Sequence, residues 1–141
     1  MIEFQRGMLR NLCAFGFCVD VATIIYQYSE FSGSIRETLG GHTHVISCLT
    51  VFPNGDLCSG SYDETIKIWR DGKCIYTLVG HNGWINCLAI GNDGNLYSGS
   101  IDKTIKVWKD GICIRTLNDH EGGVDCLAFL NNGKSVQWIL R

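Results

Sequence analysis

A histidine, a serine and an aspartate recur together in this sequence, and these residue types form the catalytic triad of many hydrolases. The two sets are His42, Ser61 and Asp63, and then His81, Ser100 and Asp102. A catalytic triad occurs once per active site, whereas this set occurs twice, and a tryptophan follows each aspartate (Trp69 and Trp108). The duplication therefore favours a structural role for these residues over catalysis.

The duplicated residues belong to a repeat that organises most of the chain. Corresponding residues lie 39 positions apart, as in the series His42, His81 and His120. Aligning residues 42–80 with 81–119 gives 20 identities in 39 positions without a gap. A third copy begins at His120 and stops matching after Ser135. We therefore expect successive copies of one structural unit.

Each repeat unit is predicted to form short strands joined by tight turns. Asn-Gly and Asp-Gly pairs, which favour hairpin turns, separate the apolar runs. The apolar pattern has period two and glycine occurs in every segment, which excludes a helical repeat. Four antiparallel strands in about 40 residues make one blade of a β-propeller. In the first unit the predicted strands are Val45–Phe52, Leu57–Ser61, Thr65–Arg70 and Cys74–Leu78.

Several motifs that recur in register carry a family resemblance. Gly80-His81, the run Leu57–Trp69 and its copy Leu96–Trp108 resemble the WD-repeat β-propeller family. The resemblance covers residues 39–134. One departure is that Arg70 and Lys109 follow Trp69 and Trp108 at the position where the family often has Asp. It implies an all-β fold, a partial β-propeller of four-stranded antiparallel blades. Two blades are expected to be complete, 42–80 and 81–119, with incomplete blades at both ends.

The two ends of the chain match the repeat less well. We expect a propeller fragment over 39–141, with residues 120–141 as a partial blade, and a separate region over 1–38. Ile35–Leu39 is similar to an outer strand, and Asp20–Ile24 loosely echoes Asp63–Ile66. Residues 1–38 are therefore either a degenerate blade, over Leu12–Leu39, or an extension outside the propeller.

The resemblance implies a role for the repeated polar residues. In the family they form a hydrogen-bonded chain inside a blade, from Trp through Ser or Asp to His. An indole N–H only donates and a carboxylate only accepts, so such a chain satisfies groups that are costly to bury unpaired. The expected members are His42, Ser61, Asp63, Trp69, His81, Ser100, Asp102 and Trp108. Ser59 and Ser98 are alternative members, because period two places them on the same face as Ser61 and Ser100.

The eight cysteines raise the question of metal binding or disulfides. Five of them occupy two repeat positions on predicted strands, where a small apolar side chain packs. The sequence contains no Cys-x-x-Cys, and it also lacks a phosphate loop, a Rossmann glycine pattern and a nucleophile elbow. We therefore expect no metal and no cofactor. Reduced thiols predict a cytoplasmic protein, with the nucleus as an alternative.

Size and charge narrow the partner classes. The chain has 141 residues, with 12 Lys and Arg against 14 Asp and Glu, a net charge of −2. One ordinary domain fits this length. Without a basic excess there is no electrostatic drive toward nucleic acid, and no apolar run reaches the roughly 18 residues of a membrane helix. Other proteins or peptides are the expected partners.

The resemblance also implies where partners bind. In the family they dock on the propeller face near the central channel, and the matching positions here are Trp84, Tyr62 and Ile101. The equivalents of Trp84 in the other repeats are Val45 and Gly123. A packing role for Trp84 against the neighbouring blade is the alternative.

The predicted function is a non-catalytic protein–protein interaction scaffold, not an enzyme. The alternatives are the substrate-targeting region of a larger multidomain enzyme, such as a ubiquitin ligase or a kinase, and a truncated gene product without autonomous function. Closed propellers have about 4–8 blades, so we also expect either self-association or a longer parent chain.

Overall fold

Strands dominate the computed structural model, which describes residues 24–25, 38–129 and 136–139. It contains twelve strands and, in those ranges, no helix, so no helix there spans a membrane. The all-β prediction is confirmed. The strands are β1 Ile24–Ile25, β2 Thr38–Leu39, β3 Ile46–Val51, β4 Leu57–Ser61, β5 Thr65–Arg70, β6 Lys73–Val79, β7 Ile85–Ile90, β8 Leu96–Ser100, β9 Ile105–Lys109, β10 Ile112–Leu117, β11 Cys126–Phe129 and β12 Val136–Ile139.

Two four-stranded antiparallel sheets form the centre of the structure, in the orders β3-β4-β5-β6 and β7-β8-β9-β10. We call them the first and second sheets. The predicted strands of the first repeat are found, each within one residue of its expected limits. The turn between β3 and β4 needs a left-handed residue, and Gly55 supplies it with φ of 96°. The partial β-propeller inferred from the resemblance therefore contains two complete blades.

Two-stranded antiparallel sheets stand at either end, β1-β2 and β11-β12. Ile24 pairs with Leu39 as Ile66 pairs with Leu78 in the first sheet. Of the expected outer strand Ile35–Leu39, β2 contains the last two residues. The remainder of the predicted degenerate blade, and residues 130–135 and 140–141 of the partial blade, lie outside the described residues.

The hydrophobic core lies between neighbouring sheets rather than within one. Ile66 and Leu78 of the first sheet pack with Ile85, Leu96 and Trp108 of the second. These side chains are almost completely buried. Each sheet thus covers a face of the next, so a single blade cannot bury its apolar residues alone.

Close contact between the two complete sheets depends on glycine in β4. A Cβ atom added to Gly60 would lie 2.6 Å from both Cys48 Sγ and Ile85 Cγ2. Gly99 in β8 repeats the geometry, since its Cβ would lie 2.5 Å from Val124 Cγ1. The missing side chain therefore lets the inner strand of the next sheet approach.

Gly60→Ala should overpack this junction, and we expect it to lower the free energy of unfolding by about 1–3 kcal/mol. Gly40→Ala is the matched control, because a Cβ on exposed Gly40 meets nothing within 4 Å. Its effect should stay within about 0.5 kcal/mol. Urea denaturation followed by tryptophan fluorescence measures both, and equal stability of the two variants would contradict the assigned contact.

Candidate functional site

A chain of side-chain hydrogen bonds runs through the first sheet. Trp69 Nε1, on β5, donates to Ser59 Oγ, on β4, at 2.8 Å. Ser59 Oγ lies 2.8 Å from His42 Nε2, and His42 Nδ1 lies 2.8 Å from Asp63 Oδ2. His42 precedes β3, and Asp63 lies in the turn from β4 to β5. The chain therefore links both turns to the middle strands.

The second sheet repeats this arrangement almost atom for atom. Trp108 Nε1 donates to Ser98 Oγ at 2.8 Å, and Ser98 Oγ lies 2.7 Å from His81 Nε2. His81 Nδ1 lies 2.7 Å from Asp102 Oδ2. Because a carboxylate only accepts, Nδ1 of His81 carries the proton, and Nε2 of the neutral ring then accepts from the Ser98 hydroxyl. Every donor in the set has an acceptor.

The serine in each set is not the one that we predicted as the principal member. Ser59 and Ser98 occupy the position expected for Ser61 and Ser100. In the first sheet Trp69 is paired with Leu57, so Ser59 is its diagonal neighbour and Ser61 is two residues farther along. Ser61 Oγ instead donates to the His44 carbonyl at 3.3 Å and accepts from Asp63 N at 3.1 Å.

A threonine is a further member of each set, and the sequence analysis missed it. Thr65 Oγ1 donates to Asp63 Oδ1 at 2.6 Å, and Thr65 N donates to the same oxygen at 3.0 Å. Thr104 repeats both bonds to Asp102, at 2.7 and 2.9 Å. The sequence feature that could have revealed this contact is the Asp-x-Thr spacing in both repeats. Asp side chains often accept a hydrogen bond from the backbone N–H of the residue two positions later.

Both aspartates are held in their ionised form. Burial would raise the pKa of Asp63, but hydrogen bonds from the Thr65 side chain, from Thr43 N and from His42 outweigh it and hold the pKa at about 2. The same balance gives Asp102 a pKa of about 2.

For His81, burial lowers the pKa, and the hydrogen bond to Asp102 opposes it only in part. The imidazole is thus neutral at pH 7, in keeping with its hydrogen bonds. A neutral ring donates at Nδ1 and accepts at Nε2, which are the roles that Asp102 and Ser98 require of it.

The predicted partner-binding residues lie together at one end of the two complete sheets. The rings of Tyr62 and Trp84 stack with centroids 4.5 Å apart and planes 13° apart. Ile101 N donates to the Trp84 carbonyl at 3.0 Å. Trp84 and Ile101 are 45% and 48% exposed, and Tyr62 is half-buried. We call Tyr62, Trp84 and Ile101 the aromatic patch.

Packing and exposure coexist at Trp84. Its ring contacts Tyr62 of the neighbouring sheet, which is the packing alternative, and yet nearly half of the residue stays accessible. His44 lies beside the patch, with its ring centroid 6.0 Å from that of Tyr62. The sequence analysis did not include His44, because its equivalents in the other repeats are Gly83 and Gly122.

The described part of the chain contains no cluster of three His, Cys, Asp or Glu residues that could hold a metal ion. No disulfide joins the six cysteines in that part.

The repeated sequence of the chain matches a known repeat family. The family described as "WD domain, G-beta repeat" matches residues 33–70, 72–109 and 111–136. The chain belongs to the WD-repeat family. The resemblance found in the sequence is confirmed. The match at 72–109 contains β6 of the first sheet and β7, β8 and β9 of the second, so each WD repeat joins two blades.

A solved structure supports the same architecture. The chain is similar to the WD40 β-propeller domain of Doa1, with a TM-score of 0.63 and 31% sequence identity. The similarity covers 72% of this chain and 35% of that chain. The chain therefore spans about a third of that structure's length. A partial β-propeller, as predicted, is the fold of this WD-repeat chain.

Asp102→Ala should remove the acceptor of His81 Nδ1 and of three further donors. We expect the free energy of unfolding to fall by at least about 1–3 kcal/mol, the usual result of leaving buried donors unpaired. Glu121→Ala, at an exposed acidic residue, is the control and should change stability little. An unchanged thermal midpoint for Asp102→Ala would mean that the hydrogen-bonded set does not stabilise the blade.

Stability should also fall as the pH drops from 7.5 to 5.5. The lowered pKa of His81 means that the unfolded chain, with an ordinary value of about 6.5, takes up a proton before the folded chain does. The stabilisation is therefore complete above pH 6.5 and is lost toward the lower folded pKa. Urea denaturation at several pH values measures the slope, and His81→Gln should reduce it; a slope unchanged by His81→Gln would contradict the prediction.

Proposed function

We propose that this WD-repeat chain is a non-catalytic scaffold that binds another protein or a peptide through the aromatic patch. WD-repeat propellers are generally protein-interaction scaffolds, which supports the class of function. The observation that supports the location is the exposed stack of Trp84 on Tyr62, with Ile101 beside it. Accessible tryptophan and tyrosine side chains are frequent hot spots of protein interfaces.

The burial and the hydrogen bonds of the two polar sets support the non-catalytic part of the proposal. The His42 and His81 side chains are 1% and 0% exposed, so a substrate has no access to either imidazole. The Ser59 and Ser98 hydroxyls are each shared between an indole and an imidazole. Both sets are built for internal satisfaction of hydrogen bonds rather than for proton transfer to a ligand.

The chemistry of the patch favours a partner with an apolar or aromatic side chain. Tyr62 and Trp84 offer broad apolar rings, and Ile101 adds an aliphatic surface next to them. The repeat accepts Val45 and Gly123 at the position of Trp84, so blade geometry does not require an indole there. Stacking holds Trp84 in place before binding, which lowers the entropy lost on association.

We also propose that the protein works in the cytoplasm or nucleus. The proposal is supported by thiols that are not joined in disulfides in the described ranges. Burial raises the pKa of the Cys58 thiol, which keeps it protonated and unreactive. The small acidic excess of the chain is the reason to expect proteins rather than nucleic acid as partners.

Trp84→Ala should weaken binding to peptides selected on the wild-type chain from a random display library. We expect at least about a 30-fold rise in Kd, which corresponds to about 2 kcal/mol for a hot-spot residue. Ile112→Ala is the matched control, since Ile112 is 67% exposed and lies on the outer strand β10. Fluorescence anisotropy with labelled peptides measures each affinity.

The stability of each variant must be measured together with its affinity. Trp84→Ala should keep the thermal midpoint close to that of the wild type, because the patch is exposed. Unchanged peptide affinity, or a loss of affinity accompanied by unfolding, would make Trp84 a packing residue and would contradict the proposed site.

A further inference from the structure

The hydrogen-bonded sets leave negative charge next to the aromatic patch. Asp102 is ionised, whereas the His81 ring to which it is bonded is neutral, so the pair has a net negative charge. Asp102 directly follows Ile101 of the patch, and Asp63, which is also ionised, directly follows Tyr62. The internal structure of each complete blade therefore places a carboxylate beside a residue of the patch.

The two turns of the patch each carry one exposed charged residue. Glu64 lies in the turn with Tyr62, and Lys103 occupies the equivalent position in the turn with Ile101. Both have a left-handed backbone conformation, with φ of 67° and 70°. One position of the repeat thus accepts either a negative or a positive side chain in the same conformation.

A third segment, which precedes β11, adds acidic residues beside Ile101. A Cβ atom on Gly123 would lie 3.2 Å from Ile101 Cα, so this segment contacts the patch. Glu121 and Asp125 lie on it and are exposed. Asp125 Oδ1 accepts a hydrogen bond from Asn86 Nδ2 at 2.9 Å, and because an amide is neutral the charge of the carboxylate remains.

The charge balance around the patch is therefore negative. Among the described residues, the connections that form or contact the patch contain one ammonium group, that of Lys103, and five carboxylates, those of Asp63, Glu64, Asp102, Glu121 and Asp125. Lys67 and Lys106 lie on β5 and β9, and their ammonium groups each donate at 3.0 Å to a threonine of the outer strands β6 and β10.

Charges at the opposite end of the two complete sheets nearly balance. The turns there contain Asp56, Asp71, Asp93 and Asp110. The strand ends beside these turns contain Arg70, Lys73 and Lys109. Arg70 Nη2 lies 2.6 Å from Asp56 Oδ2, so one of these carboxylates is paired directly. The acidic excess of the described residues thus lies at the end that carries the patch.

We infer that the aromatic patch binds a basic segment of its partner, in which an arginine or lysine lies beside the side chain that contacts the rings. This inference rests on the proposed function, because it names the partner chemistry for the same site. Tyr62 covers one face of the Trp84 ring, yet Trp84 is 45% exposed, so part of its surface is open to a second group. A guanidinium or ammonium group is attracted both by an indole and by the surrounding carboxylates.

The first test uses the 141-residue chain and peptides selected on it from a random display library. The selected peptides should contain more Lys and Arg, and less Asp and Glu, than the unselected library. Their Kd should rise at least about threefold between about 50 and 300 mM NaCl, because salt screens exposed charges. Selected peptides without a basic excess would overturn the inference.

Exchange of the two turn charges gives the decisive measurement. Lys103→Glu should lower the Kd of the selected peptides at least about threefold, and Glu64→Lys should raise it by a similar factor. Each substitution introduces the residue that the other repeat already has at that φ, so the blade should stay folded. The double variant should return close to the wild-type Kd. Lys109→Glu makes the same change of charge at the opposite end and is the matched control, with less than about a twofold effect.

Trp84→Ala, measured on the same peptides, separates the failure of this inference from that of the proposed function. If Trp84→Ala weakens binding but the exchanged charges leave Kd unchanged, the patch binds a partner that is not basic, and the inference alone is overturned. An effect of Lys109→Glu as large as that of Lys103→Glu would also overturn it. If Trp84→Ala has no effect, the proposed site is wrong and the inference fails with it. Thermal midpoints check the fold of each variant, and peptide composition and salt dependence decide for the wild-type chain should a variant unfold.

Discussion

The structure depends on one constraint: a sheet with two apolar faces must be covered on both of them. Neither complete sheet can satisfy this requirement alone, so each supplies a cover for the next, and the core forms between sheets. The closeness of that cover requires Gly60 and Gly99, whose position against the following inner strand leaves no space for a Cβ. Repetition of the sequence follows from this constraint, because equivalent residues meet equivalent neighbours at every junction.

The buried chain of hydrogen bonds stabilises one edge of each blade. His81 reaches from the segment before β7 to Ser98 on β8 and to Asp102 in the turn after it. These bonds are largely shielded from water, so they fix the turn relative to the strands. Ile101 immediately precedes Asp102, and Tyr62 precedes Asp63 in the same way. The internal chain therefore positions the exposed patch.

Much of this architecture could be predicted from sequence, because a 39-residue period and turn residues report strand limits directly. The choice between Ser59 and Ser61 as the hydrogen-bond partner of Trp69 could not be predicted from the sequence. Period two places both on one face, and only the lateral pairing of Trp69 with Leu57 decides which hydroxyl the indole reaches. The stacking of Tyr62 on Trp84 was hidden for a related reason: the two residues belong to different blades, and their contact depends on how neighbouring sheets pack.

The phase of the WD repeat explains why the proposed binding residue Trp84 and the buried His81 lie in one segment. A repeat such as 72–109 starts on the outer strand of one sheet and finishes on the third strand of the next, so the connection from β6 to β7 crosses between blades. That connection carries His81, which the next blade needs internally, and Trp84, which stacks on the previous blade. Substitutions at Trp84 can vary the surface without touching the buried bonds of His81, since the two side chains point to different partners. A crossing segment of this kind lets one blade framework present different exposed side chains.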